Sequence, residues 1–255
     1  MRPLISSSLH TALVVAVFVS AVLAAGALLF IRAPYGRHVR SGWGPILPGR
    51  VAWVLMESPA VFGFAWVFAQ GAQRADPVPL ALLGLWMLHY VHRTLVFPFR
   101  LRSTRPMALV VAAMAFGYQS VSAVVNAGWI SDLGAYPTSW ATDPRFMGGA
   151  ALFVVGWALN LHADTVLMNL RAPGETGYRI PHGGLFRWVT AGNYLGELVM
   201  WVGWALATWS WAGLSFLVFA LANLAPRAAQ NHRWYQERFG AEYPPERRRL
   251  IPFLW

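Results

Sequence analysis

The chain has no cysteine and no lysine, and only 12% of its residues are charged. Without cysteine there are no disulfides, no thiolate nucleophile and no zinc site built on sulfur. The scarcity of charge excludes more. A soluble domain carries about 25% charged residues, so this chain cannot cover a water-facing surface. With 57% hydrophobic residues and a mean hydropathy of +0.45, its solvent is lipid. Lacking lysine, the chain draws its whole positive charge from arginine, to which we attach no functional weight. A net charge of +10 would suit nucleic acid only on a soluble basic domain, and no stretch supplies one, so no nucleic-acid partner is expected. A soluble dinucleotide fold is also missing, since no GxGxxG stands between a strand and a helix.

What is present is a series of apolar runs, at about 9–31, 51–70, 78–99, 107–130, 146–169 and 193–225. A bilayer-spanning helix needs ~20 such residues. The last run would reach ~45 Å as one helix, so it is expected to fold back near Trp209-Ser210-Trp211-Ala212-Gly213, giving seven spans. In the first run Ala24, Ala25, Gly26 and Ala27 resemble a signal cleavage site. The run is longer than the roughly 7–15 residues of a signal peptide's apolar region, and Arg32, Arg37 and Arg40 follow it. That pattern reads as an uncleaved span with its N-terminus outside.

Arginine positions agree with seven spans. The expected cytoplasmic segments hold Arg32, Arg37, Arg40 and Arg50, then Arg100, Arg102 and Arg105, then Arg171, Arg179 and Arg187, then six more after Pro226. The outer segments hold only Arg2, Arg74 and Arg145. This is the positive-inside distribution, with the C-terminus inside. The expectation is an all-α integral membrane protein of seven transmembrane helices forming one membrane domain. Residues 1–135 would carry spans one to four, and residues 136–255 the last three with a cytoplasmic loop and tail. The tail from Pro226 mixes aromatics with arginines and is expected to pack at the membrane surface among the lipids. The compact chain reads as bacterial, set in the inner membrane with its polar ends toward the cytoplasm, and is expected to act as a monomer.

Ionisable groups within spans are costly and mark function by default. Glu57 lies in VLMESPAVF; His89, Tyr90, His92 and Arg93 in LHYVHRT; Asn160, His162 and Asp164 in NLHADTVLMN; Asn193, Tyr194 and Glu197 in GNYLGELVMW. Glu57 has a bland alternative as a packing partner for Arg93. His89 and His92 lie a turn apart, but without a set of carboxylates or cysteines they rarely make a metal site, and none is expected. Asn160 with Asp164, and Asn193 with Glu197, each share a helix face four residues apart. Two amide–carboxylate pairs at one depth suggest a polar lining for a large hydrophilic ligand. The loop RAPGETGYRIPHGGLFRWVTAGNY adds Gly183 and Gly184 for close backbone approach and Arg171 and Arg179 for phosphate.

The run GYRIPHGGLFRWVTAGNYLGELVMWVGWALATWS, followed by LAPRAAQNHRWYQERFGAEYPPERRRLIPFLW, resembles the C-terminal domain of the steroid 5α-reductase family, with MESPAV and LHYVHRTLVFPF matching earlier in order. The resemblance implies an NADPH-dependent membrane reductase that delivers hydride to the β-carbon of an enone, as in 3-oxo-Δ4 steroids. It assigns Glu57 and Tyr90 as the catalytic pair bonding the substrate carbonyl oxygen, with Trp53 as a wall of the steroid pocket. It places Asn160, Asp164, Arg171, Tyr178, Asn193, Glu197, Arg227 and Tyr235 on cofactor-binding positions, with Arg105, Arg179 and His232 as further contacts. Two departures stand out. Met56 replaces the glutamine that mammalian members carry beside the glutamate, so a supporting amide is missing there, and Asn231 replaces one histidine. Isoprenylcysteine carboxyl methyltransferases and sterol C14 reductases share the broad C-terminal pattern, but a methyltransferase needs no carbonyl donors such as Glu57 and Tyr90. A non-enzymatic transporter is disfavoured by the absence of internal repeats.

Overall fold

The computed structural model describes residues 4–31, 42–102, 104–170, 175 and 177–255. Arg2, Arg32, Arg37, Arg40 and Arg171 lie outside the described residues. Among the described residues seven long helices follow one another: α1 Ser7–Phe30, α2 Gly49–Gln70, α3 Pro77–Arg100, α4 Leu109–Leu133, α5 Pro144–Asn169, α6 Gly192–Thr208 and α7 Trp211–Phe239. All but α6, which has 17 residues, are long and apolar enough to cross a membrane. The expected reversal falls between α6 and α7. Trp209 closes α6 in the left-handed conformation at φ 42°, and the Ser210 side chain caps α7 by accepting from the Gly213 N–H.

The last helix differs from expectation. It does not give way to a surface tail at Pro226 but continues to Phe239. A proline removes one backbone donor, and here the helix carries on through it, with Arg227 reaching back to Asn223 Oδ1 at 3.1 Å. The extra turns carry His232, Trp234 and Tyr235 beneath the 184–191 turn. α1 packs along α7, and Gln230 Nε2 donates to the Leu28 carbonyl at 2.7 Å.

Two devices set the interior. The first is the crossing of α5 with α6. A Cβ at Gly156 would fall on the backbone of Met200, and one at Gly196 on the backbone of Asn160; Gly149 and Gly203 repeat this two turns further out. In lipid, where apolar side chains gain little by leaving the solvent, helix pairs are held by such close backbone approach. The second is a buried aromatic cluster around Trp86, whose ring lies 4.4 Å from Phe64, 4.8 Å from Tyr90, 5.1 Å from Trp204 and 5.3 Å from Phe216.

Among the described residues three helices contain a π-turn: Pro59–Gly63 in α2, His92–Val96 in α3 and Trp129–Leu133 in α4. In α2 the wider turn leaves the Ala60 carbonyl to accept from Trp86 Nε1 at 2.8 Å. Such turns frequently occur at functional sites. A two-residue antiparallel ribbon, β1 Ile46–Leu47 with β2 Met107–Ala108, ties together the approaches to α2 and α4.

Gly196→Val should lower the thermal midpoint in detergent by the equivalent of ~1–3 kcal/mol or more, because the obstructing atoms are backbone and cannot rotate away. Gly148→Val, where an added Cβ meets nothing within 4 Å, serves as the control. Equal midpoints for the two variants would show that the close crossing is not required.

Candidate active site

Glu57 stands on α2 immediately before its π-turn and is buried at 7% exposure. Its Oε2 accepts from Gln119 Nε2 of α4 at 2.7 Å, and the same nitrogen lies 3.4 Å from the Tyr90 hydroxyl on α3. Thr94 Oγ1 donates to the Glu57 carbonyl at 3.4 Å. The Tyr90 ring rests against Trp86, Trp201 and His89. The two residues assigned to the substrate carbonyl are therefore gathered around one amide nitrogen.

Arg93 links this pair to the rest of the polar interior. Its Nε lies 3.8 Å from Glu57 Oε1 and its Nη1 3.7 Å from Asp164 Oδ2. A buried guanidinium is tolerable only when paired, and this one faces three acids, Glu197 being its third electrostatic partner. The guanidinium also lies over Trp53 at 4.7 Å and Phe97 at 4.9 Å. Trp53 is thereby accounted for locally, since its Nε1 donates to the Arg93 carbonyl at 3.1 Å. The packing role considered for the Glu57–Arg93 pair is real and extends to Asp164.

From Asp164 the line continues into the α5–α6 crossing. Asn193 Nδ2 donates to Asp164 Oδ1 at 3.0 Å, and Asn160 Nδ2 donates to the Asn193 carbonyl at 2.9 Å. Below this crossing, Leu167, Phe186, Thr190, Ala191, Asn193, Tyr194, Asn231 and Tyr235 line a cleft of about 70 Å³. Arg227 is at its margin, donating to the Tyr194 hydroxyl at 2.9 Å. Tyr235 is buried and stacked between Phe239 and Tyr243.

The structure thus brings Asn160, Asp164, Asn193 and Glu197 together and sets Arg227 and Tyr235 at the adjoining cleft. His232 is held by Thr190 Oγ1, which also meets the Tyr243 hydroxyl, so it braces the cleft wall. Tyr178 packs edge-on against Trp234. Arg179 is exposed and paired with Glu175 at 2.8 Å, and Arg105 is exposed in the segment before β2; neither side chain is drawn into the polar interior. Sequence reasoning passed over Gln119 and the cleft residue Thr190. An amide within an apolar span was the available signal for Gln119.

The sequence profile described as 3-oxo-5-alpha-steroid 4-dehydrogenase matches residues 105–255. The chain belongs to this family. Among similar proteins are "Steroid 5-alpha-reductase DET2" of Gossypium hirsutum, 40% identical over 236 residues, covering 89% of this chain and 90% of that protein. "3-oxo-5-alpha-steroid 4-dehydrogenase 1" of Bos taurus is 42% identical over 232 residues, covering 89% and 90% respectively. The Homo sapiens protein of the same name is 41% identical over 223 residues, covering 87% and 86%. With this membership the chain is a multi-pass integral membrane protein.

Arg93→Leu would leave Glu57 and Asp164 buried without their shared cation. The expected cost is on the order of 3 kcal/mol, read as a lower thermal midpoint in detergent. An unchanged midpoint would show that the two acids need no cation between them.

Proposed function

We propose that the chain reduces the C=C bond of 3-oxo-Δ4 steroids, or similar lipid enones, with NADPH as hydride donor, and that Glu57 and Tyr90 bind the carbonyl oxygen. Family membership at about 40% identity makes it a 3-oxo-5-alpha-steroid 4-dehydrogenase, an oxidoreductase. The observation that carries the residue roles is the convergence of the Glu57 carboxyl and the Tyr90 hydroxyl on Gln119, deep in an apolar interior.

The reaction adds one hydride at the β-carbon and one proton at the α-carbon, giving the saturated ketone. As hydride arrives, negative charge develops on the carbonyl oxygen. Donors already aimed at that oxygen stabilise the transition state and cost no reorganisation. Tyr90 supplies a phenolic O–H. Glu57 supplies a second donor in its protonated form, which a low-dielectric interior favours.

For the cofactor, the donor set is suitable: amides at Asn160, Asn193 and Asn231, phenols at Tyr194 and Tyr235, and the Arg227 guanidinium beside them. NADPH would supply the hydride from its nicotinamide. Asn160, Asp164, Asn193 and Glu197 would orient the polar groups of that ring, Arg227 and Tyr235 the adjoining part, and Arg171, Tyr178, Arg179, Arg105 and His232 the outer part. A cleft of about 70 Å³ is smaller than the roughly 300–1,000 Å³ of a ligand pocket, so binding requires it to widen. The arginine-rich ends support a cytoplasmic cofactor site with the N-terminus outside, and we read the chain as a monomer of a bacterial inner membrane. On this reading residues 1–135 carry the carbonyl donors and residues 136–255 most of the cofactor site.

The direct test is NADPH oxidation by the purified protein with progesterone or testosterone, the product being identified by mass spectrometry. Binding of NADPH without reduction of any 3-oxo-Δ4 steroid would overturn the substrate assignment. Glu57→Leu and Tyr90→Phe should each lower turnover about 10²–10³-fold, as loss of an oxyanion donor does, while NADPH affinity holds. Asn193→Ala and Arg171→Ala should show the reverse. Equal loss of cofactor binding in all four would sink these roles.

A further inference from the structure

We infer that Gln119 is a positioning residue of the carbonyl site, its amide nitrogen holding the Glu57 carboxyl and the Tyr90 hydroxyl so that the O–H of each points to the substrate oxygen. This rests on the reading of Glu57 and Tyr90 given above.

The side chain is 9% exposed and projects from the middle of α4. An amide in such surroundings is costly unless it is hydrogen-bonded, and its Nε2 finds two oxygens, Glu57 Oε2 at 2.7 Å and the Tyr90 hydroxyl at 3.4 Å. Its Oε1 is buried and has no hydrogen-bond partner among the described residues. The amide's orientation is therefore set by Glu57 and Tyr90, and theirs by it. On the far side of the carboxyl, Arg93 holds Oε1 of Glu57 from α3. Met56, beside Glu57, packs with the apolar group of Ala52, Met107 and Ala112. The amide that looked missing at position 56 reaches the same carboxyl from another helix.

The chemistry follows from the number of protons. A carboxylic acid and a phenol side by side would donate to each other, and one O–H would be lost to the substrate. An –NH₂ group carries two donors. Giving one to each oxygen occupies a lone pair on both and leaves both O–H protons for a third oxygen. Donation into the Tyr90 oxygen also strengthens the bond that its O–H makes in turn. Gln119 touches neither reacting carbon; it acts through the two donors.

The test compares Gln119→Leu with the unaltered protein for turnover, steroid KM, NADPH affinity and thermal midpoint, and repeats the change in a Tyr90→Phe background. We expect Gln119→Leu to lower kcat at least about tenfold, the scale of a misplaced catalytic group, with NADPH affinity within about twofold. With Tyr90→Phe already present, no phenol proton remains to direct, so the same change should cost less than about threefold. Turnover within twofold of the unaltered protein, a parallel loss of NADPH affinity, or a full multiplicative loss in the Tyr90→Phe background would each overturn the inference. If Gln119→Leu does not accumulate as folded protein, Gln119→Asn, which keeps the amide on a shorter arm, enters the same comparison with the same criteria. Full activity in both Glu57→Leu and Tyr90→Phe would remove the underlying reading instead. Losses in those two beside a normal Gln119→Leu overturn only the role of Gln119.

Discussion

The close crossing of α5 and α6 is the constraint on which the interior depends. Lipid offers little reason for two apolar helices to choose one face over another, so geometry must supply the choice. Gly149 and Gly156 on one helix, and Gly196 and Gly203 on the other, allow backbone to touch backbone. Only at that separation can Asn160 reach the Asn193 carbonyl and Asn193 reach Asp164. Those bonds hold Asp164, and Asp164 shares Arg93 with Glu57. A steric permission on two helices thus governs the position of a carboxyl on a third.

The polar line has a second property. It joins the cluster of Glu57, Tyr90 and Gln119 at one end to the amide-lined cleft at the other. Glu57, Asp164, Asn160 and Asn193 are each held by a neighbour on a different helix, and Arg93 is the joint. Its guanidinium lies between Glu57 and Asp164, and its flat face against Trp53 and Phe97 limits how it can turn.

Much of this was legible in the sequence. Seven helices follow from hydropathy and arginine placement, and the reversal at Trp209-Ser210 falls where an overlong apolar run required one. Asn160, Asp164, Asn193 and Glu197 were evident because polar groups stand out in apolar spans. Gln119 was harder to see. Its partners lie 62 and 29 residues away, and no local pattern announces which face of α4 turns inward. The extension of α7 through Pro226 escaped because a proline after an apolar run ordinarily signals an end. The π-turns have no sequence signature; they arise where side-chain packing outweighs one regular backbone bond.

The π-turn of α2 gives the helix a phase. One residue more than a regular turn lies between Glu57 and Phe64, so the inner and outer parts of α2 are offset by about 100° relative to an ideal helix. Glu57 faces Gln119 and Arg93 while Phe64 faces Trp86, and both alignments hold because the π-turn takes up seven residue steps in the arc that six would span in a regular helix. Were Pro59–Gly63 to wind as a regular α-helix at the same length, hydropathy would register no difference, yet the acid and the aromatic anchor would no longer point at their partners together. The winding of this stretch, rather than its composition, sets both side chains on their partners.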